Sequence, residues 1–393
     1  MTTDPVPTGM VRFVEDVLSA ADIRLNGDRP QDIQIRNERF FTSVLSRWSL
    51  GLGESYMDGD WDCSALDQCI ARLLTADLDE KIRGRARLSA LVNVLRGRLI
   101  NRQSQRRAFQ VAERHYNIDN DLFQQMLDSR MIYSCAYWER ASTLEEAQID
   151  KLDLICQKLE LRPGEHLLDI GCGWGGLAAH AARHYGVRVT GLTVSREQQV
   201  HAIQTCAGLP IEIRLQDYRD LDESFDKIVS VGMFEHVGEK NYPTYFRAVE
   251  RSLKPNGLFL LHTIGSRTTT VSTDPWIDKY IFPNGKIPSA VEITSAIEEH
   301  WVIEDWQNFG QDYDRTLMAW QDNISQALPT LSQRYDARFL RMWSYYLLSC
   351  AGYFRSRKGQ LWQLLLTKPS RAIPYRSLRF RRAHEPWRVS LTP

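Results

Sequence analysis

Apolar positions along this chain recur with two periods, about 3.6 and about 2 residues, and the switches between them mark out its elements. Met10 to Ala21 repeats Val11, Val14, Val17 and Leu18 on one helical face. Asp32 to Leu45 alternates as one or two strands, Gly51 to Trp61 is a turn-rich stretch whose aromatics predict a packed loop, and Leu66 to Leu74 is helical again. Between Leu88 and Ile100 apolar residues return at helical spacing, with Arg85, Arg87, Arg96, Arg98 and Arg102 interspersed or flanking. From about Asp128 short apolar runs alternate with helical stretches. The runs are His166 to Ile170, Val187 to Val194, Ile211 to Leu215, Phe225 to Val231, Leu258 to Ile264, Val302 to Phe309 and Leu361 to Thr367. Between the fourth and fifth, Tyr242 to Leu253 reads as a helix closed by Lys254-Pro255-Asn256-Gly257. Such alternation predicts a parallel sheet with right-handed crossovers. The pattern therefore gives an α/β chain: a seven-stranded Rossmann-like sheet over 126–393 and a smaller α+β module over 1–125. Insertions at Gly265 to Trp301 and Thr316 to Arg355 are candidates for a lid and a substrate channel, because ligands of such sheets sit outside the carboxyl ends of the strands.

The first of those strands stops at Gly171-Cys172-Gly173-Trp174-Gly175-Gly176, followed by an Ala-rich helix. Glycines there let the backbone approach a ligand at which a helix N-terminus points. Gly171-x-Gly173-x-x-Gly176 fits a dinucleotide turn, and Asp169-x-Gly171-x-Gly173-x-Gly175 fits an S-adenosylmethionine turn. A dinucleotide wants an acid about 20 residues on for the ribose. Between Glu165 and Glu197 the only acid is Asp169, and the second strand ends in Thr193-Val194-Ser195. Asp169 suits a cationic methionine head and would repel a pyrophosphate, so S-adenosylmethionine leads.

Composition narrows the partners. Lys plus Arg and Asp plus Glu number 49 each, so no global field recruits nucleic acid. The balance is uneven: Lys81 to Arg114 holds ten Lys or Arg against Glu113 alone, and Arg371 to Arg388 is Arg-rich. A basic amphipathic helix suits an anionic bilayer surface, or packs as a linker helix on its own protein. The seven cysteines are scattered without metal spacing, as expected of reduced thiols in a cytoplasmic protein. The opening MTTDPVPTGM lacks the apolar core of a signal peptide, and no apolar run reaches the roughly 18 residues that span a bilayer.

Four further stretches carry chemistry: Tyr133-Ser134-Cys135-Ala136-Tyr137-Trp138, Met233 to Gly238, Leu261 to Ser266 and Asn308 to Tyr313. Three of them follow strand ends, which places Glu235, His262 and Tyr313 to converge near a transferable methyl. Glu235, His236 and His262 as an iron site is disfavoured, because adjacent Glu235 and His236 do not easily face one ion; no metal is expected.

The strings YSCAYW, DIGCGWGG, MFEHVG, HTIG and NFGxDYxxTLxxW, in this order and behind the N-terminal module, resemble the cyclopropane-fatty-acyl-phospholipid synthase family, related to the mycolic acid cyclopropane synthases. The resemblance implies a class I methyltransferase fold in which Tyr133, Ser134, Asp169, Gly171, Cys172, Gly173, Gly175, Thr193, Ser195, Gln198, Tyr218 and Arg219 hold S-adenosylmethionine. It also implies a bicarbonate ion held by Glu235, His262 and Tyr313 and by the backbone at Cys135 and Ile264. Cys350 matches a family cysteine counted among active-site residues, although a thiol in the apolar stretch Met342 to Tyr353 is commonly inert. The implied reaction adds methylene across a cis double bond of a phospholipid acyl chain. An alkene is a poor nucleophile, so the sulfonium methyl must be aligned with it and water excluded. Aromatic faces at Tyr133, Tyr137 and Tyr313 suit the carbocation, and bicarbonate is a base that does not risk alkylating the protein. Withdrawing an acyl chain into water costs about 0.8 kcal/mol per methylene. A protein that docks on the inner membrane from the cytoplasm is therefore expected, and the resemblance implies a homodimer. A lipid methyltransferase of the same fold that leaves a methyl branch, a non-catalytic lipid-binding protein and, third, a nicotinamide enzyme are the rivals.

Overall fold

A computed structural model describes residues 7–77 and 120–378. The basic segment from Lys81 to Arg114 lies outside the described residues, as does the Arg-rich tail beyond residue 378. The chain forms two compact, interleaved units: 7–77 with 270–285 and 313–360, and 120–269 with 286–312 and 361–378. Each predicted insertion of the sheet thus contributes to the first unit, so the division is discontinuous, whereas the sequence pattern breaks once near residue 125.

The first unit is built from helices around a small antiparallel ribbon, β1 (Gln34–Ile35) paired with β2 (Trp61–Asp62). Two sequence expectations fail here. The alternation from Asp32 to Leu45 yields only the two residues of β1, and the helix Arg39–Met57 absorbs the rest together with most of the expected loop at Gly51 to Trp61. Gly51 and Gly53 look like turn signals but serve close approach. A Cβ on Gly51 would lie 1.8 Å from the Ser43 carbonyl oxygen, and one on Gly53 would lie 2.4 Å from the Trp276 ring. A kink at Trp48, whose φ is 49°, re-aims the second half of that helix. The helix Ala337–Arg355 packs on Leu66–Thr75, and Trp61, Trp276 and Trp343 fill the centre.

The second unit is a seven-stranded sheet: β3 (His166–Ile170), β4 (Arg188–Thr193), β5 (Ile211–Leu215), β6 (Phe225–Val231), β7 (Leu253–Ser266), β8 (Val302–Asn308) and β9 (Gly359–Thr367), in the order β5-β4-β3-β6-β7-β9-β8. Pairings from β5 through β7 are parallel, as the helix-strand alternation predicts, and β8 pairs antiparallel with β9. β7 begins at Leu253, five residues before its predicted start. The helix Tyr242–Ser252 ends just before Lys254-Pro255-Asn256-Gly257, as predicted, and those four residues form an irregularity of β7 between the pairs Phe225–Leu253 and Lys227–Leu258. One face of the sheet is covered by the capped helix Leu144–Lys158 and the Ala-rich helix Gly176–Tyr185. The other is covered by aromatics including Phe234, Tyr245, Phe246 and Trp301. Burying each large side chain is worth about 1.5–3 kcal/mol, which holds the strand ends rigid for the chemistry they carry. No helix among the described residues is long and apolar enough to cross a membrane.

Candidate active site

The parallel strands β3 to β7 end on one edge, and the site grows there. The β3 strand runs straight into the glycine turn. Gly171 and Gly173 take φ of 85° and 53°, values that side chains resist, and the N–H groups of Gly171 and Cys172 both donate to the Leu192 carbonyl at 2.9 Å. A Cβ on Gly171 would strike Met233, whereas one on Gly173 would meet open space. Gly173 therefore turns bare backbone toward the place a ligand would take, and Gly175 caps the helix Gly176–Tyr185 behind it. Asp169 is buried at the end of β3, its Oδ2 without a hydrogen-bond partner among the described residues, and burial pushes its carboxyl up to about 7 against the pull of the Lys151 cation.

The ends of β4 and β5 complete this half. Thr193 Oγ1 donates to Gln198 Oε1 at 3.0 Å and accepts the Ser195 N–H at 3.1 Å, and Ser195 Oγ caps the next helix by accepting the Gln198 N–H. After β5, Asp217 clamps the Arg219 guanidinium through two bonds of 2.8 and 2.7 Å, which lays that cation over the Tyr218 ring. On the other side of the turn, Ser134 Oγ accepts from the buried Lys151 Nζ at 2.9 Å, and Gln148 Nε2 donates to the Ser134 carbonyl at 3.0 Å. Tyr133 packs edge-on against Phe123, which in turn meets Trp174 of the glycine turn.

The second half sits at the ends of β6 and β7, where Val231 registers with His262. Glu235 folds back across this pair, and its Oε1 accepts the Ile264 N–H at 2.6 Å. The Ile264 N–H, expected from the resemblance to face an anion, is thus committed to Glu235. Burial pushes the Glu235 carboxyl up to about 7. His262 is almost fully buried, edge-on to Phe309, and its Nδ1 lies 3.2 Å from Gln363 Nε2. Burial, reinforced by the Lys151 and Lys158 cations, holds its imidazole well below the usual range, so it is neutral near pH 7. With an amide nitrogen facing Nδ1, the ring proton resides on Nε2. Among the described residues, neither His262 Nε2 nor Glu235 Oε2 has a hydrogen-bond partner. One neutral donor and one acceptor are left open at neighbouring strand ends. Cys135 is fully buried in the same unit, its thiol turned to the Ala136 carbonyl at 3.2 Å. His236 is held at about 4 by burial, a neutral ring in the loop.

Tyr313 and Cys350 belong to the other compact unit. There Tyr313 stacks on Phe354 at 4.5 Å, and burial pushes the Cys350 thiol up to about 12. Three residues of the site escape a reading of motifs, Lys151, Gln148 and Gln363, whereas Asp312, whose Oδ2 accepts the Trp138 N–H at 2.8 Å, falls within the NFGxDY string. The signal for all three is present as polar interruptions. Gln148 and Lys151 sit three apart on a helix that otherwise buries Leu152, Ile155 and Cys156, and Gln363 breaks the apolar run of β9.

Known proteins resemble this chain over most of its length. The family model for mycolic acid cyclopropane synthetase matches residues 103–364. The chain is 53% identical over 357 residues to the cyclopropane-fatty-acyl-phospholipid synthase of Escherichia coli strain K12, covering 91% of this chain and 93% of that one. Among solved structures, the cyclopropane synthase MmaA2 from Mycobacterium tuberculosis is similar with a TM-score of 0.63 and 32% identity, over 66% of this chain and 98% of that one. The mycolic acid cyclopropane synthase CmaA1, solved in complex with SAH and CTAB, is similar with a TM-score of 0.62 and 32% identity, over 66% and 98% of the respective chains.

Proposed function

This chain belongs to the mycolic acid cyclopropane synthetase family and is an S-adenosylmethionine-dependent methyltransferase, and on that premise we propose that it transfers a methylene from S-adenosylmethionine to a cis double bond in a phospholipid acyl chain. Cyclopropanation of lipid is the reading that its relatives' names support. The observation that carries the mechanism is the open pair at the ends of β6 and β7: Glu235 Oε2 as acceptor and His262 Nε2 as donor, both buried and both unpartnered among the described residues. Leaving one buried polar group unsatisfied costs about 1–3 kcal/mol, so a pair of them fits a small polar guest that offers both a donor and an acceptor. Bicarbonate has that shape: its hydroxyl would donate to Glu235 and an oxygen would accept from His262, with the backbone at Cys135 as a further holder. When bound, bicarbonate supplies the base for the proton that must leave the transferred methyl as the ring closes.

The chain's own residues do the rest. The Gly171–Gly175 turn, Thr193, Ser195, Gln198 and the Asp217-braced Arg219 would bind and orient the sulfonium ligand. Its methyl then approaches the alkene along a fixed line, the kind of positioning that supplies much of a barrier reduction. Tyr133 and Tyr137 offer π faces to the developing cation without capturing it, and Phe309 against His262 keeps water from quenching it. Cys350 takes no covalent part in this reading. Docking on a bilayer through the Arg-rich stretch 81–114, and a homodimer, complete the proposal; charge reversal at Arg96, Arg98 and Arg102 should weaken vesicle binding.

The test is mass spectrometry of cis-unsaturated phospholipid vesicles incubated with the protein and S-adenosylmethionine carrying a deuterated methyl. A product without its alkene that keeps two of the three methyl deuterons establishes methylene addition. Three retained deuterons mean that the reaction stops at methylation, and an unlabelled lipid leaves a non-catalytic lipid-binding protein.

A further inference from the structure

The function above leaves one buried charge cluster unexplained, and it lies behind the cofactor turn. Lys151 projects from the helix Leu144–Lys158 with only 1% of its surface exposed, and among the described residues it donates not to a carboxylate but to the Ser134 hydroxyl, at 2.9 Å. Gln148, one turn earlier on the same face, grips the backbone of the same strap through the Ile132 and Ser134 carbonyls at 3.4 and 3.0 Å. Asp128 ties the strap from the other end by accepting the Ile132 N–H at 2.8 Å. Asp128 Oδ2 is ion-paired with Arg130 at 3.6 Å, but the buried Asp169 Oδ2 has no hydrogen-bond partner among the described residues, and both carboxylates feel the Lys151 cation. A lysine placed only to satisfy a buried acid would donate to Asp169. This one donates to a serine.

An ammonium has donors and no acceptor, so Ser134 Oγ accepts from it and keeps its own hydrogen for something else. We propose that Lys151 is a positioning residue for the amino-acid end of S-adenosylmethionine: by occupying a lone pair of Ser134 Oγ it turns that hydroxyl into a donor to the ligand carboxylate, while its charge balances Asp169 beside the ligand ammonium. The inference rests on the cofactor proposed above. It predicts selectivity within the ligand, because the adenosine end gains nothing from this arrangement.

The experiment measures binding of two ligands to the full chain by isothermal titration calorimetry: S-adenosylhomocysteine, and 5′-methylthioadenosine, which keeps the nucleoside and thioether but lacks the amino-acid group. Lys151→Met and Ser134→Ala should each weaken S-adenosylhomocysteine about tenfold, the worth of one charge-assisted hydrogen bond, and leave 5′-methylthioadenosine within about twofold. The double variant should be no weaker than the stronger single one, since both remove the same interaction. Lys151→Gln, which keeps an N–H donor, should retain most of the preference for S-adenosylhomocysteine. Equal weakening of both ligands, or of neither, overturns the proposal. If Lys151→Met does not fold, Ser134→Ala and Lys151→Gln decide the matter on the same criterion. If neither ligand binds the unaltered protein, the S-adenosylmethionine reading itself falls, an outcome distinct from a loss of selectivity.

Discussion

Two buried polar clusters lie in the unit that holds the sheet, one between the helix Leu144–Lys158 and the strap at Ser134, the other at the ends of β6 and β7, and they are satisfied differently. Around Ser134 and Lys151 the structure supplies its own cation, and the strap that carries Ser134 is tied by Gln148 and Asp128 before any ligand arrives. Around Glu235 and His262 the structure supplies a backbone N–H for one carboxylate oxygen and an amide for one ring nitrogen, and leaves the remaining two atoms open. The first cluster is preorganised for a ligand that brings charges of both signs. The second is incomplete without a small guest. A site that must bind one large co-substrate tightly and hold a replaceable base beside it needs both kinds of order.

Glu235→Gln should break the second cluster most severely. The amide retains an oxygen for the Ile264 N–H but presents N–H donors where an acceptor is needed, so turnover of labelled S-adenosylmethionine on vesicles should fall by about 100-fold or more. Calorimetric affinity for S-adenosylhomocysteine should stay within about twofold, because the cofactor cluster is untouched. A loss shared equally between turnover and affinity would dissolve the distinction between the two clusters.

Gln363→Leu probes the same cluster through its support. Without the amide at 3.2 Å, Nδ1 no longer has a donor to fix the tautomer, and the Nε2 hydrogen is held less firmly. The expected loss is about tenfold in kcat, partly restored by Gln363→Asn only if the shorter amide reaches the ring. Unchanged kcat in the leucine variant would show that the tautomer is set by another group.

These supports show where sequence reading works and where it stops. The strands β3 to β6 and the glycine turn were legible because apolar runs, turn glycines and Asp169 are local signals. Glu235 and His262 were legible because they fall at strand ends within recognisable strings. Lys151 and Gln363 were not, because a polar residue on an apolar face declares itself as a partner only once the opposite element is known: Ser134 is 17 residues from Lys151, and His262 is 101 from Gln363. The helix Arg39–Met57 is hidden in the sequence for a related reason. Gly51 and Gly53 carry the same letters as a turn, and only the Ser43 carbonyl and Trp276 ring against them reveal a packing role.

Stability should report the second cluster with the opposite sign to activity. Folding raises the Glu235 carboxyl from 4.5 to about 7, so the folded state holds a proton that the unfolded state releases between those values. Stability therefore declines as pH rises through that window, and the burial cost of the charged form is fully present above it. Glu235→Gln removes the titration. Its melting temperature should exceed the parent's by several degrees, on the order of 2–4 °C per kcal/mol, at pH 8, with the gap closing below about pH 4.5. A gap that is constant with pH would mean that Glu235 is not strained by burial. Activity should rise with pH through about 7 in the parent, as Glu235 becomes an acceptor, and that limb should vanish in the variant.

The smallest effect is expected outside both clusters, at Cys350. A nucleophilic thiol needs a cation, a helix N-terminus or a nearby base to lower its pKa. Cys350 has the reverse: it lies within the last two turns of the helix Ala337–Arg355, and burial, aided by the negative Asp274, holds its thiol near 12. Essentially none of it is thiolate at pH 8. Cys350→Ala should keep kcat within about twofold, at a stability cost of about 1 kcal/mol or less for the lost sulfur in a half-buried position. Cys350→Trp should act through bulk instead, and lower activity without altering the pH profile. A collapse of turnover in the alanine variant with cofactor affinity intact would assign a chemical step to this thiol, and would mean that its environment in the working enzyme is not the apolar one its burial implies.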